Sequence, residues 1–417
     1  MERLIRSAII VDPNSKHNGK KRDILIKNGV VDKIGNSLNA KAKTIEAEDL
    51  FISPGWFDLK VNFCEPGYEF KEDLNTGIAA AKSGGFTGAA HSPFLDPVIS
   101  TRSQVEYLRD RAKNLHFDLR PIGSLTQGAA GKVISEMYDM HLGGAAAFSD
   151  LYKEVSSGIM LKALQYVTPF KGLIISMPLD HSIAGNAYVH EGKTSASIGL
   201  PGIPAMAEEI RIKRDLELLE HSNSKLHFSG ISSAKGIDLI KKAKKKGVAI
   251  TADVHFQNLV FNDESILDFD SNKKIFPPAR SESDRKALIK AVKDGTIDVI
   301  VSDHRPENIE SKDLEFEYAE FGIGAISTMY SVLTEYGIDR NLFVSAVALK
   351  PRAVLGIEIP TLEEGSKAEF TLFQEGKEWT ATAEKSKSRS KNDPFLNTTY
   401  SNKVLGTIFE NEFYLNA

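Results

Sequence analysis

Ser53-Pro-Gly-Trp-Phe-Asp-Leu-Lys-Val-Asn-Phe-Cys-Glu-Pro-Gly67 is the stretch on which the fold turns, because it separates two kinds of sequence. Before it lie short strands: Asp23-Ile-Leu-Ile-Lys27 and Val30-Val-Asp-Lys-Ile34 flank Asn28-Gly29, a hairpin signature. After it the chain alternates. Strand-like runs such as Gly172-Leu-Ile-Ile-Ser176, Leu226-His-Phe-Ser229, Val248-Ala-Ile-Thr-Ala252 and Ile297-Asp-Val-Ile-Val-Ser302 are separated by helical patterns over 75–83, 103–114, 204–221, 234–246 and 282–294. Repeated βα units predict a parallel α/β fold. About three hundred residues of them, with no Gly-x-Gly-x-x-Gly after the first strand, predict a (β/α)8 TIM-type barrel rather than a Rossmann sheet.

Strand-like sequence returns near the C-terminus at Ala368–Phe373, Glu378–Ala381, Lys403–Phe409 and Glu412–Leu415, interrupted by the basic loop Glu384–Pro394. Residues 1–53 and 360–417 are therefore expected to build one small β-sandwich domain, and 54–359 the barrel. Barrel chemistry sits at the carboxyl ends of the strands. Residues i and i+2 of a strand share a side, so Lys60 and Asn62 should both face the barrel mouth.

Composition narrows the function. The chain has 417 residues with a formal net charge of −4, so it offers no global basic field for nucleic acid. The run Lys241–Lys246 reads as a solvated helix face. A single cysteine, Cys64, excludes a disulfide scaffold and a Cys-x-x-Cys pair, whereas ten histidines leave a histidine metal site numerically possible. No run of about 18 apolar residues is present to span a bilayer. The charged start Met1-Glu-Arg-Leu-Ile-Arg-Ser7 carries no secretory pattern, which makes a cytoplasmic location the expectation.

The opening stretch resembles the start of the dihydroorotase branch of the cyclic amidohydrolases, where the pattern is Pro-Gly-x-x-Asp-x-His-x-His-x-Arg-Glu-Pro-Gly. The similarity continues through Ala79–Thr87, Gly123–Gly128, Ala147–Asp150, Gly199–Pro204, Phe276–Arg280, Ser302-Asp-His304 and Thr361–Gly365. The resemblance implies a (β/α)8 barrel with a β-sandwich and, in active relatives, zinc that polarises an amide carbonyl and activates water. The implied reaction is reversible ring closure of carbamoyl-aspartate to dihydroorotate in pyrimidine synthesis.

Matched position by position, the metal-ligand pattern is degenerate. The two strand-one histidines correspond to Lys60 and Asn62, and the two later ones to Met177 and Gly230; of the carboxylates, Asp150 and Asp303 remain. A protonated lysine has no lone pair for a metal, and one or two carboxylates fall short of the three or four ligands zinc takes. Substrate positions are altered too: Cys64 stands for an arginine, Phe94 and Phe276 for asparagines, and Glu307 for a histidine within Asp303-His-Arg-Pro-Glu307. No metal and no other cofactor is therefore expected. His304 should pack away from the mouth, and His190, His227 and His255 are not expected to make a replacement metal site.

Three further expectations follow. The Lys60 ammonium should replace the metal's charge by neutralising Asp303, and Asp150 with it, because unpaired buried carboxylates are costly. Phe94 and Phe276 should fill the vacated substrate pocket. The resemblance implies a catalytically inactive, oligomeric (dimeric) structural partner of aspartate carbamoyltransferase. The alternatives are an active dihydroorotase with an atypical site, a metal-independent enzyme, and a scaffold acting elsewhere.

Overall fold

The computed structural model describes residues 2–416. Near the N-terminus, β1 (Glu2–Ile10), β2 (Lys21–Lys27), β3 (Val30–Gly35), β4 (Lys43–Ile45) and β5 (Leu50–Pro54) form five strands of one eight-stranded mixed sheet. The β2–β3 turn is the Asn-Gly hairpin, with Asn28 at φ 50° and Gly29 at φ 76°. That left-handed geometry suits the right-handed twist of the flanking strands.

The barrel follows directly. Its strands are β6 (Trp56–Val61), β7 (Phe86–His91), β8 (Asp118–Gly123), β9 (Ala147–Phe148) and β10 (Ile174–Ser176). A short excursion, β11 (Val189–His190) paired with β12 (Gly202–Ile203), precedes β13 (Leu226–Phe228), β14 (Ile250–His255) and β15 (Val299–Val301). All neighbouring barrel strands pair in parallel, in chain order. The ring closes where Val61 bridges His304 and where the Ser302 N–H donates to the Asp58 carboxylate at 3.1 Å. The predicted helices appear at Leu74–Ser83, Arg102–Lys113, Met206–Ser222, Ala234–Lys245 and Glu282–Lys293.

The C-terminal strands complete the first sheet. β16 (Glu369–Gln374) lies antiparallel to β5, pairing Leu372 with Ile52, and is followed by the small hairpin β17 (Trp379–Ala381) with β18 (Thr398–Tyr400). β19 (Lys403–Phe409) and β20 (Glu412–Leu415) add to its far side. This sheet has its own core, including Ile5, Ile24, Ile52, Phe370 and Ile408.

Trp56 and Arg352 join the two parts. Trp56 packs edge-on to Phe86 and Phe343 and against Tyr330 and Phe373, with ring centroids 4.7–6.0 Å apart. Such packing adds to the burial of a large apolar side chain. The buried Arg352 guanidinium donates to the Gly55 carbonyl at 2.6 Å and pairs with Glu369 of β16.

The basic loop 384–394 is less solvated than its composition suggests. Ser388, Ser390, Asn392 and Asp393 are buried against the barrel rim. Ser388 and Arg389 engage Glu72 and Asp73, and the Asn392 amide donates to the Gly322 carbonyl at 3.1 Å. The polar residues reach inward because the rim presents carboxylates and open carbonyls to them.

Candidate functional site

Lys60, on the inward side of β6, is 3% exposed. Its ammonium lies 3.2 Å from Asp303 Oδ1, 3.1 Å from His255 Nε2 and 3.8 Å from Met177 Sδ. The other oxygen of Asp303 is 3.3 Å from His255 Nδ1, and Tyr152 donates its phenol proton to Oδ1 at 3.1 Å. Lys60 also sits 4.9 Å above the Tyr152 ring, a cation–π distance. Lysine, histidine and aspartate thus form a closed triangle at the carboxyl ends of β6, β14 and β15.

The charges in this triangle follow from its surroundings. Burial is the largest single influence and works against the Lys60 ammonium, but Asp303, Tyr152 and Asp253 together outweigh it and hold the group above the usual lysine range. Burial, only partly offset by Asp303, pushes His255 down to about 4. At neutral pH His255 is therefore uncharged and accepts from Lys60 at Nε2, with its Nδ1 3.3 Å from Asp303 Oδ2. The centre is a neutral set: one cation, one anion and a histidine bridging them.

Gly230 explains why His255 stands there. Its φ is +75°, and a Cβ at this position would come 3.0 Å from His255 Nε2 and 3.2 Å from Pro277 Cδ. A side chain at 230 would compete with the imidazole for one volume. Gly230→Ala is expected to cost about 2 kcal/mol, combining backbone strain with displacement of His255. Denaturant unfolding checks this; a loss below about 0.5 kcal/mol, the range of neutral surface changes, would contradict it.

The remaining predicted residues are placed as follows. Asn62 is turned onto its own loop: its Oδ1 accepts from Cys64 N at 2.8 Å and its Nδ2 donates to Phe94 O at 3.2 Å. Burial, reinforced by Glu307, pushes the Cys64 thiol up to about 12, which disarms it as a nucleophile. Glu307 pairs with Lys71 at 2.7 Å. His304 turns away from the mouth, 3.8 Å from Glu72 and edge-on to Phe63. His227 binds Asp253 at 2.9 Å and His190 faces Arg280, so neither joins His255.

Two expectations are corrected. Asp150 is not neutralised by Lys60: it accepts from Leu125 N at 2.8 Å, Thr126 N at 3.0 Å and the Thr126 hydroxyl, and so braces the loop after β8. Local backbone donors satisfy it and no distant cation is needed. Phe94 and Phe276 also do not fill the mouth. They flank Tyr152, at 5.7 and 5.9 Å, as the wall of an open cavity of about 680 Å³.

Tyr152, His255 and Arg305 are the site residues that the sequence did not reveal. The position of His255 just beyond the strand-like run Val248–Ala252 was the available signal. Its partner depended on Gly230 lacking a side chain, which no motif expresses.

Comparison with known proteins fits this architecture. A sequence profile described as Dihydro-orotase-like matches residues 50–236. The chain is 34% identical over 419 residues to a dihydroorotase of Syntrophus aciditrophicus, covering 98% of both chains. It is 36% identical to one of Geobacter metallireducens, covering 95% of both. The chain belongs to the dihydroorotase-like family. The L-hydantoinase (dihydropyrimidinase) of Arthrobacter aurescens shares the fold, with a TM-score of 0.87 at 21% identity over 99% of this chain and 95% of that one.

For a dihydroorotase-like chain the natural question is whether these residues fit zinc. They do not. Among the described residues, no group of three or more His, Cys, Asp or Glu is arranged to hold a metal ion. The ammonium of Lys60 occupies the space beside Asp303, where its charge opposes a cation. His255 has both ring nitrogens engaged, and Met177 offers only a thioether, a poor zinc ligand.

Proposed function

We propose that this chain is a dihydroorotase-like protein of pyrimidine biosynthesis that performs no metal-dependent hydrolysis. In this reading it is a cytoplasmic, dimeric pseudoenzyme that serves as a structural partner of aspartate carbamoyltransferase. The observation that carries the catalytic half is the Lys60 ammonium, 3.2 Å from Asp303, in place of a cationic metal. Without a metal, the barrel lacks both the electrophile that would polarise the amide and the activated water that would attack it. The partner rests on the family resemblance. No helix among the described residues is long and apolar enough to cross a membrane.

A second reading, an active dihydroorotase opening the cyclic amide of dihydroorotate to carbamoyl-aspartate at an atypical site, is favoured by the cavity left open above the triangle. One assay separates the two. The purified chain, incubated with zinc, is expected to give no dihydroorotate hydrolysis above the rate of buffer, whereas turnover would establish the second reading. Mixing with aspartate carbamoyltransferase is expected to yield one larger species in light scattering. Separate elution of the two proteins would remove the partner from the proposal.

A further inference from the structure

Two segments of the barrel rim carry exposed charge left largely unpaired within the chain. The first, residues 309–320, follows β15 and exposes five carboxylates, those of Glu310, Asp313, Glu315, Glu317 and Glu320. Among them stand three large apolar side chains, with Ile309 74%, Leu314 45% and Tyr318 68% exposed. The second is the strap Lys385-Ser-Lys-Ser-Arg-Ser-Lys391. Its four cations are exposed, whereas Ser388 and Ser390 between them are buried, as alternation along an extended chain places them. Of these nine charged groups, only Arg389 forms an ion pair among the described residues, with Asp73.

Both segments are seated from beneath. The buried Lys312 ammonium donates to the Glu320 carbonyl at 2.8 Å, and Phe316 packs with Val189 and Ile266. The strap is held by Ser390 on the Glu307 carbonyl and by the Asn392 amide on the Gly322 carbonyl. Charges fixed in this way lose little further freedom on association. A groove of about 760 Å³ is lined by Ile309, Glu310 and Asp313 from the first segment and by Arg389 and Lys391 from the strap, with Phe70, 59% exposed, beside them. Unlike charges thus line one groove without pairing across it.

Apolar side chains rimmed by charge mark a contact surface for another protein. A uniformly acidic or uniformly basic partner would satisfy one segment and be repelled by the other. A second copy of this chain satisfies both, because a half-turn sets acidic against basic twice over.

We propose that this rim is the face through which two copies of the chain pair about a two-fold axis. Segment 309–320 of each copy lies against strap 385–391 of the other, with Ile309 and Phe70 packed between them. The inference deepens the dimeric state of the proposed function and rests on that reading.

Sedimentation equilibrium of the full chain between about 1 and 100 µM tests it. The wild type is expected to dimerise in this range, and raising the ionic strength from about 0.05 to 0.5 M should weaken the dimer at least about threefold. Reversing the strap with Lys385→Glu and Lys387→Glu, or the acidic segment with Asp313→Lys and Glu315→Lys, sets like charges opposite each other. Each pair is expected to raise the dimer Kd at least about tenfold. All four substitutions in one chain exchange the two signs, so the Kd should return to within about threefold of the wild type, a recovery that a folding defect would not give. A chain monomeric throughout would overturn both the inference and the dimer it rests on. A dimer indifferent to salt or to both reversals, or a four-substitution variant no tighter than the two-substitution ones, would overturn the inference alone. The salt dependence needs no variant, so it decides the matter where a variant does not fold.

Discussion

Replacing Lys60 by methionine is expected to destabilise the protein by about 4 kcal/mol at pH 7, one of the larger single-residue effects available in the barrel. Methionine retains the length of the side chain, so cavity formation contributes little. The loss comes from Asp303, whose side chain is 12% exposed and would be left anionic beside a neutral imidazole. Tyr152 would still donate to it, which keeps the estimate inside the range for breaking a buried pair.

Urea unfolding of Lys60→Met, Asp303→Asn and the double variant checks the pairing. The double variant should be less destabilised than the sum of the singles by about 2 kcal/mol. Additive losses would show that the two groups do not interact.

The second large effect concerns pH. His255 is 1% exposed with its pKa pushed down to about 4, against 6.5 for a free imidazole. A depressed histidine contributes stability that is present in full above about pH 6.5 and is lost as the pH falls toward 4, because the unfolded chain takes up the proton first. The contribution amounts to about 3 kcal/mol at most.

Whole-protein stability would not display this cleanly. The buried Asp58 and Asp393, both raised to about 7, titrate with the opposite sign over the same range. The comparison with His255→Gln isolates it, because glutamine can still accept from Lys60 and does not titrate. The stability of the wild type relative to this variant is expected to rise by about 1.4 kcal/mol per pH unit between pH 4 and 6.5. A flat difference would mean that His255 is not held neutral in the folded state.

These expectations rest on features that were unevenly legible in the sequence. The barrel could be read because strand and helix periodicities are local, and strand-like ends enclosing an alternating middle point to a sheet built from both termini. The Lys60–Asp303 pair was legible for a related reason: i, i+2 geometry on the first strand points Lys60 inward, and the carboxylate ending the last strand faces the same space.

Asp150 was misjudged because its satisfaction depends on backbone N–H groups of the loop after β8, which carry no side-chain signature. His255 and Arg305 were missed because each is defined by what stands opposite: the empty position at Gly230 for one, the ring of Tyr152 for the other. Phe94 and Phe276 were correctly recognised as bulky. Bulk alone, however, does not say whether an aromatic ring plugs a cavity or lines it.

In the proposed function Lys60 has taken the metal's place. Zinc stoichiometry tests it most directly: the purified full-length chain is incubated with excess zinc at neutral pH, desalted, and its bound metal is quantified by elemental analysis. Substoichiometric zinc, close to a buffer control, is the predicted result. One or two zinc ions retained per chain, and lost in Asp303→Asn, would contradict it.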